Sequence, residues 1–274
     1  GQNRKIESLK EHYFYGHSAI SKNRKWIYSS ELMQSGKGQI SVRDAGTLGV
    51  LKAFPLPTGA NPHELRFVRN GELLAVTLQD PSLVVFLDPL NGKIMAKSPI
   101  EEKQVFGHIT ELADGSVVIS SLAFTPEFFR KRAAAFATNG RWVEPDEQPS
   151  DYMPSSLLIA DPAGHIRSLA SHPSMLGFTC SAVSRKNNRV AAFFKDGRFF
   201  GVWDAKSQRA LLEHHFPEGE KPISVAITPD QSQFVVQTTE RKIYLASVIN
   251  PKIIPFDMAG SQLRQCIHLA VLEA

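Results

Sequence analysis

One short pattern returns along this chain at a nearly fixed interval, and such a recurrence restricts a chain to repeat architectures before any other property is weighed. The pattern reads GHSAIS at 16–21, PHELRF at 62–67, GHITEL at 107–112, TCSAVS at 179–184, ISVAIT at 223–228 and IHLAVL at 267–272. Its second residue stands at 17, 63, 108, 180, 224 and 268, with spacings of 46, 45, 72, 44 and 44. One unit is therefore about 44 residues, the length of a propeller blade. The third unit carries an insertion over 124–153.

Each unit continues in the same order. A polar turn follows the marker at Asn23, Asn70-Gly71, Asp114-Gly115, Asn187-Asn188 or Asp230, residue types that tolerate positive φ in hairpins. Next comes an apolar or alternating run (KWIYSS, ELLAVT, SVVISS, RVAAFF, QFVVQT), then a third run ending in Asp44, Asp88, Asp161 or Asp204, with Ser247 in that place in the fifth unit. A fourth run closes the unit: LGVLKAF, KIMAKSP, HIRSLAS, RALLEHH or KIIPFDM. Four runs and three turns make an antiparallel meander. Five copies of one open sheet would each leave unpaired edges unless they were set radially about an axis.

The expected fold is thus all-β, a β-propeller of four-stranded antiparallel blades, forming a single domain over 1–274 with blades starting near 16, 62, 107, 179, 223 and 267. Five units are complete and a sixth begins, so the strands that close the last blade are expected upstream, where KIESLK at 5–10 offers one. The insertion holds FFRKRAAAFA, which reads as a short helix, and then EPDEQPSDYMP, a polar stretch. It is expected to project from one face as a lid or docking loop, with Phe128, Phe129 and Arg130 as binding residues.

Composition removes several function classes. No apolar run approaches the roughly 18 residues that would span a membrane. The 31 Lys and Arg against 27 Asp and Glu are scattered rather than gathered into a basic stripe, so nucleic acid is not the expected partner. Cys180 and Cys266 are too far apart for a zinc finger and too few for a disulfide framework. Neither a nucleophile elbow nor a phosphate loop nor a dinucleotide fingerprint is present.

The marker column carries the chemistry. It reads His17, His63, His108, Cys180, Ser224 and His268, and in a propeller the first strand of each blade lies nearest the axis, so equivalent positions share one height around the channel. Imidazole and thiolate are ligands for iron, copper or zinc, and a fold that gathers them needs no closeness in sequence. Two readings stand side by side: a metal at the channel mouth, and histidines that orient loops by hydrogen bonding, as the Gly-His pair does in WD-repeat propellers. Cys180 fits either a ligand thiol or a small buried residue, and Cys266 shares the strand face of His268. His214-His215 falls on an outermost strand with its two rings on opposite faces. The four Asp residues that end third strands are expected to accept turn N–H groups.

The runs HYFYGHSAISKNRKWIYSSE at 12–31, GKGQISVRDA at 36–45 and NPHELRFVRNGELLAVT at 61–77 resemble a bacterial family catalogued as domain of unknown function 1513. The resemblance implies a seven-bladed propeller exported to the periplasm and associated with iron-uptake systems, with His17 and His63 the positions that match the family pattern most directly. By that pattern this sequence lacks most of a preceding blade and has a shorter segment between Leu78 and Pro81. The expected function is a non-enzymatic periplasmic propeller that binds a transition metal, or a protein partner from an iron-uptake system, at its channel face. A WD-repeat-like scaffold, suggested by Trp203-Asp204 and the two Gly-His pairs, is the alternative. A metal-dependent lactonase-type hydrolase is the second alternative; it would need acidic ligands, for which the markers offer Glu64 and Glu111.

Overall fold

The computed structural model describes residues 11–57, 60–139 and 151–256. Those residues form five four-stranded antiparallel sheets in sequence order, with neighbouring strands paired as a meander. The first sheet is β1 (His12–Ile20), β2 (Trp26–Met33), β3 (Gly38–Asp44) and β4 (Val50–Pro55). The second is β5 (Pro62–Val68), β6 (Leu73–Gln79), β7 (Ser82–Leu87) and β8 (Ile94–Lys97). β9 (Val105–Glu111), β10 (Val117–Leu122), β11 (Ser156–Ala160) and β12 (Ile166–Ser171) make the third. The fourth is β13 (Thr179–Ser184), β14 (Arg189–Phe194), β15 (Phe199–Asp204) and β16 (Ala210–His215), and the fifth is β17 (Pro222–Ile227), β18 (Gln233–Thr238), β19 (Ile243–Ser247) and β20 (Ile253–Phe256). The propeller-like all-β class read from the repeat is what the chain adopts. KIESLK, Cys266 and the sixth marker with His268 lie outside the described residues.

The chain divides into two compact units. One comprises the described parts of Gly1–Gly107, Thr125–Asp151 and Pro162–His165; the other comprises those of His108–Phe124, Tyr152–Asp161 and Ile166–Ala274. In the first, Tyr28, Ile40 and Val42 of the first sheet share one core with Leu74, Val76 and Val85 of the second. In the second unit, Val118 and Ile159 of the third sheet pack with Val190, Phe194 and Phe199 of the fourth. The other face of that fourth sheet, through Phe193, Phe200 and Val202, meets Phe234 and Val236 of the fifth. A strand covered on both faces cannot show the alternation of a one-sided strand. Hence β7 is SLVVFL, buried at every position, whereas the outer strand β8 is largely exposed.

Side chains and positive φ divide the work of the turns. Asn70, Gly71, Gly115 and Asn188 take the positive φ expected of them, but in two turns it falls one residue later, on Arg24 and Gln231. There the polar residue acts as acceptor instead: Lys25 N–H donates to Asn23 Oδ1 at 3.0 Å and Ser232 N–H to Asp230 Oδ1 at 3.1 Å. The turn role expected of the third-strand aspartates is seen in three of them. Asp44 accepts from the Gly46 and Thr47 N–H groups, Asp88 from Leu90, and Asp204 from Lys206 and Ser207. The Thr47 N–H, then the Thr47 hydroxyl, hold the Asp44 carboxyl below its ordinary range.

The insertion folds α1 (Pro126–Asn139). Thr125 caps it, its Oγ1 accepting the Phe128 N–H at 3.3 Å, and Pro126 takes the first helical position, where its missing N–H is no loss. The helix lies against its own unit rather than projecting as a loop, because Phe128, Phe129 and Phe136 need cover and are buried. Phe136 meets Tyr13 and Tyr15 of β1 edge-on, with centroids 5.8 and 5.2 Å apart. Arg130 remains on the surface and pairs with Asp80 at 3.3 Å.

His214 and His215 lie on β16 with their rings on different aromatic partners: His215 is 5.0 Å from Phe199 and His214 is 4.7 Å from Phe216. Burial, then the neighbouring His215, lowers the His214 pKa, with Glu220 opposing. The folded protein therefore binds fewer protons here than the unfolded chain, and this residue's contribution is present above its unfolded pKa and lost as pH falls through it. Between about pH 7.5 and about pH 5.5, the urea midpoint of His214→Gln is expected to fall less than that of the parent protein. Equal falls would show that His214 does not set this slope.

Candidate histidine site

All five described markers sit in the first strand of their sheets: His17 on β1, His63 on β5, His108 on β9, Cys180 on β13 and Ser224 on β17. Strand pairing is broken at two of them, His17 and His63, and immediately before a third, Ser224. The β1–β2 register jumps between Phe14 and Ser18, the β5–β6 register between Pro62 and Leu65, and the β17–β18 register between Pro222 and Ser224. Such bulges turn a side chain out of the ordinary pleat and free backbone groups from the ladder.

In the first unit, hydroxyls on the second strands take up the freed carbonyls. The Ser30 hydroxyl of β2 lies 3.1 Å from both the His17 carbonyl and the His63 carbonyl, so it ties the two histidine backbones together. Thr77 of β6 repeats the device, donating to the Gly107 carbonyl at 2.9 Å while its Oγ1 accepts from the Glu64 N–H at 3.1 Å. Gly16 is required by the same approach, because a Cβ there would stand 2.0 Å from the His63 carbonyl oxygen.

The result is a histidine pair. The rings of His17 and His63 meet edge to face with centroids 5.1 Å apart, their ligating nitrogens are within 4.8 Å of each other, and both His63 ring nitrogens are shielded from solvent. Two imidazoles on one tetrahedral zinc ion, each at about 2.1 Å, hold their nitrogens about 3.4 Å apart. A side-chain adjustment of at most about 1.4 Å meets that requirement.

In the second unit, His108 is buried and its Nδ1 lies 3.1 Å from the Thr179 carbonyl. A carbonyl only accepts, so Nδ1 carries the proton and Nε2 of the neutral ring keeps its lone pair. A carbonyl on the far nitrogen is the usual second partner of a metal-bound histidine. Ser120 donates to the His108 carbonyl at 3.3 Å, as Ser30 does to His17.

The remaining candidates are engaged elsewhere. Cys180 is half-buried against the apolar core and opposite Phe193. Glu64 pairs with Arg66 at 3.7 Å and Glu111 with Arg185 at 2.5 Å, so both acids already face guanidinium groups. Phe128 and Phe129 serve the core of their unit.

Reading single markers misses the hydroxyl column. His17 to Ser30, His63 to Thr77 and His108 to Ser120 are 13, 14 and 12 residues, whereas Cys180 has only Ala192, Phe193 and Phe194 over that span, and Ser224 has Thr238 at 14, whose hydroxyl donates to Glu220 at 2.9 Å. A hydroxyl thus accompanies each described marker that is a histidine, a signal open to a search for paired columns.

No curated protein matches the chain. The motifs at the N-terminal end do have a counterpart: residues 1–78 match the model of the family described as Protein of unknown function (DUF1513), so this stretch of the chain is similar to that family.

Proposed function

We propose that this protein is a non-enzymatic periplasmic propeller that binds a transition metal, zinc, copper or iron, through its marker histidines. The observation that carries the reading is the His17–His63 pair, whose nitrogens are within 4.8 Å and whose backbones are tied by one serine. His108 is the third ligand in this reading by its place in the repeat. His268 is a fourth by its place in the repeat. Location in the periplasm and service to an iron-uptake system rest on the family resemblance. A purely orienting role for the histidines predicts no metal at all, which separates the two readings.

Purified protein is expected to hold close to one equivalent of metal by elemental analysis, or to take it up on addition with a rise in melting temperature. His63→Ala and His108→Ala are each expected to weaken metal affinity by at least about tenfold, since losing even the outer partner of a ligand costs that much, and so to lower the content, with far-UV circular dichroism unchanged. Protein that neither contains nor takes up an ion, or folded variants that retain full content, would overturn the proposal.

A further inference from the structure

A second feature of the first unit, away from the marker column, has the build of a small-molecule site. A cavity of about 450 Å³ opens between the first and second sheets, where the turn after β1, the turn after β5 and the turn after β7 come together. Volumes of roughly 300–1,000 Å³ are usual for ligand pockets. Its walls are the rings of Trp26, Tyr28 and Phe67, with Leu90 at the rim. Tyr28 is fixed within the wall, fully buried and donating to the Pro89 carbonyl at 2.8 Å, and it meets Phe67 edge-on at 5.0 Å. Trp26 and Phe67 are only partly buried, so their ring surfaces are available to a ligand.

The polar side of the cavity is cationic. Lys22 lines it and donates to Asn70 Oδ1 at 2.7 Å, which holds the ammonium at the rim and leaves the Asn70 amide nitrogen as a second donor. Lys52 stands over the Trp26 ring, 6.0 Å from its centroid, and donates to the Leu90 carbonyl. None of the lining residues is acidic. The nearby carboxylate of Asp88 is engaged by its own turn, accepting from the Leu90 N–H at 2.8 Å and the Asn91 amide at 2.6 Å. Flat aromatic walls recognise a planar ring by stacking, and the Lys22 ammonium, with no acid among the lining residues, favours an anion.

We propose that this cleft binds a small aromatic carboxylate, the ring between Trp26 and Phe67 and the carboxylate towards Lys22 and Asn70. The proposal is independent of the metal reading, since none of its residues belongs to the marker column.

The test is calorimetric titration of the full chain with three probes: indole-3-acetate, its neutral analogue tryptophol, and acetate. Indole-3-acetate is expected to bind about tenfold or more tightly than either of the others, because ring and charge each contribute. Lys22→Met should bring indole-3-acetate and tryptophol to within about twofold of each other. Trp26→Ala should weaken both indoles about tenfold. Trp26 also touches the core, so Leu90→Glu, at an exposed rim position, provides a variant that leaves the core alone. It should weaken indole-3-acetate about tenfold and leave tryptophol nearly unchanged. No binding of indole-3-acetate, or equal affinities of the parent protein and folded Lys22→Met and Leu90→Glu for it, would overturn the proposal.

Discussion

Gly16→Ala is expected to destabilise the first unit by about 3 kcal/mol, the upper part of the range for forcing an atom into filled space. The cause is backbone against backbone. The added Cβ would stand 2.0, 2.6 and 2.8 Å from O, C and Cα of His63, distances no rotamer change relieves. The opposing strand has little room to retreat, because Ser30 holds the His63 carbonyl and the His17 carbonyl on one hydroxyl. Gly36 supplies the comparison: it has positive φ with nothing within 4 Å of an added Cβ, so Gly36→Ala pays only for conformation, about 1 kcal/mol. Urea denaturation of the two variants should separate them clearly. If Gly16→Ala were as stable as Gly36→Ala, the close approach of β1 to β5 would not be a constraint in solution.

That comparison also explains what the first residue of the Gly-His marker does. As a sequence motif, GH at 16–17 suggests a loop-orienting pair; in the fold, the glycine is a contact surface for the next first strand and the histidine stands in the bulge that contact creates.

Much of the architecture was legible because it repeats. RVAAFF and QFVVQT coincide with β14 and β18 in full, and the other second-strand runs fall within a few residues of their strands. The apolar runs reveal burial on both faces, and the 44-residue interval places each marker on a first strand. The bulges were not legible. A bulge adds one or two residues without altering composition, and the alternation of a strand says nothing about where its count slips. Ser30 and Thr77 were hidden for a related reason. A hydroxyl at the end of an apolar run reads as a strand giving way to solvent, yet both side chains are buried with their oxygens committed to carbonyls. The pair Glu31 and Arg43 was the least visible. Charged letters normally mark a surface, and only three-dimensional pairing tells a buried charge from a solvated one.

Arg43→Ala is expected to cost about 3–5 kcal/mol, the largest loss anticipated for a side-chain truncation here, since removing one partner of a buried ion pair leaves the other charge uncompensated. Glu31 is 0% exposed and Arg43 4%, with Arg43 Nη2 3.0 Å from Glu31 Oε1. The carboxylate is otherwise satisfied by the Ser41 hydroxyl at 2.8 Å and the Gln39 amide at 2.9 Å, two neutral donors that do not replace a guanidinium. The guanidinium also lies over the Phe14 ring, 5.3 Å from its centroid, on the strand that carries His17. The double variant Glu31→Met with Arg43→Met should recover most of the loss, because apolar side chains of similar volume often replace buried pairs at little cost. Equilibrium denaturation of the parent, Glu31→Met, Arg43→Met and the double variant closes the cycle. Additive losses would show that the two charges do not depend on each other. A double variant near parent stability would instead mean that the pair selects the β2–β3 register, Glu31 opposite Gln39 and Ser29 opposite Ser41, while adding little to net stability.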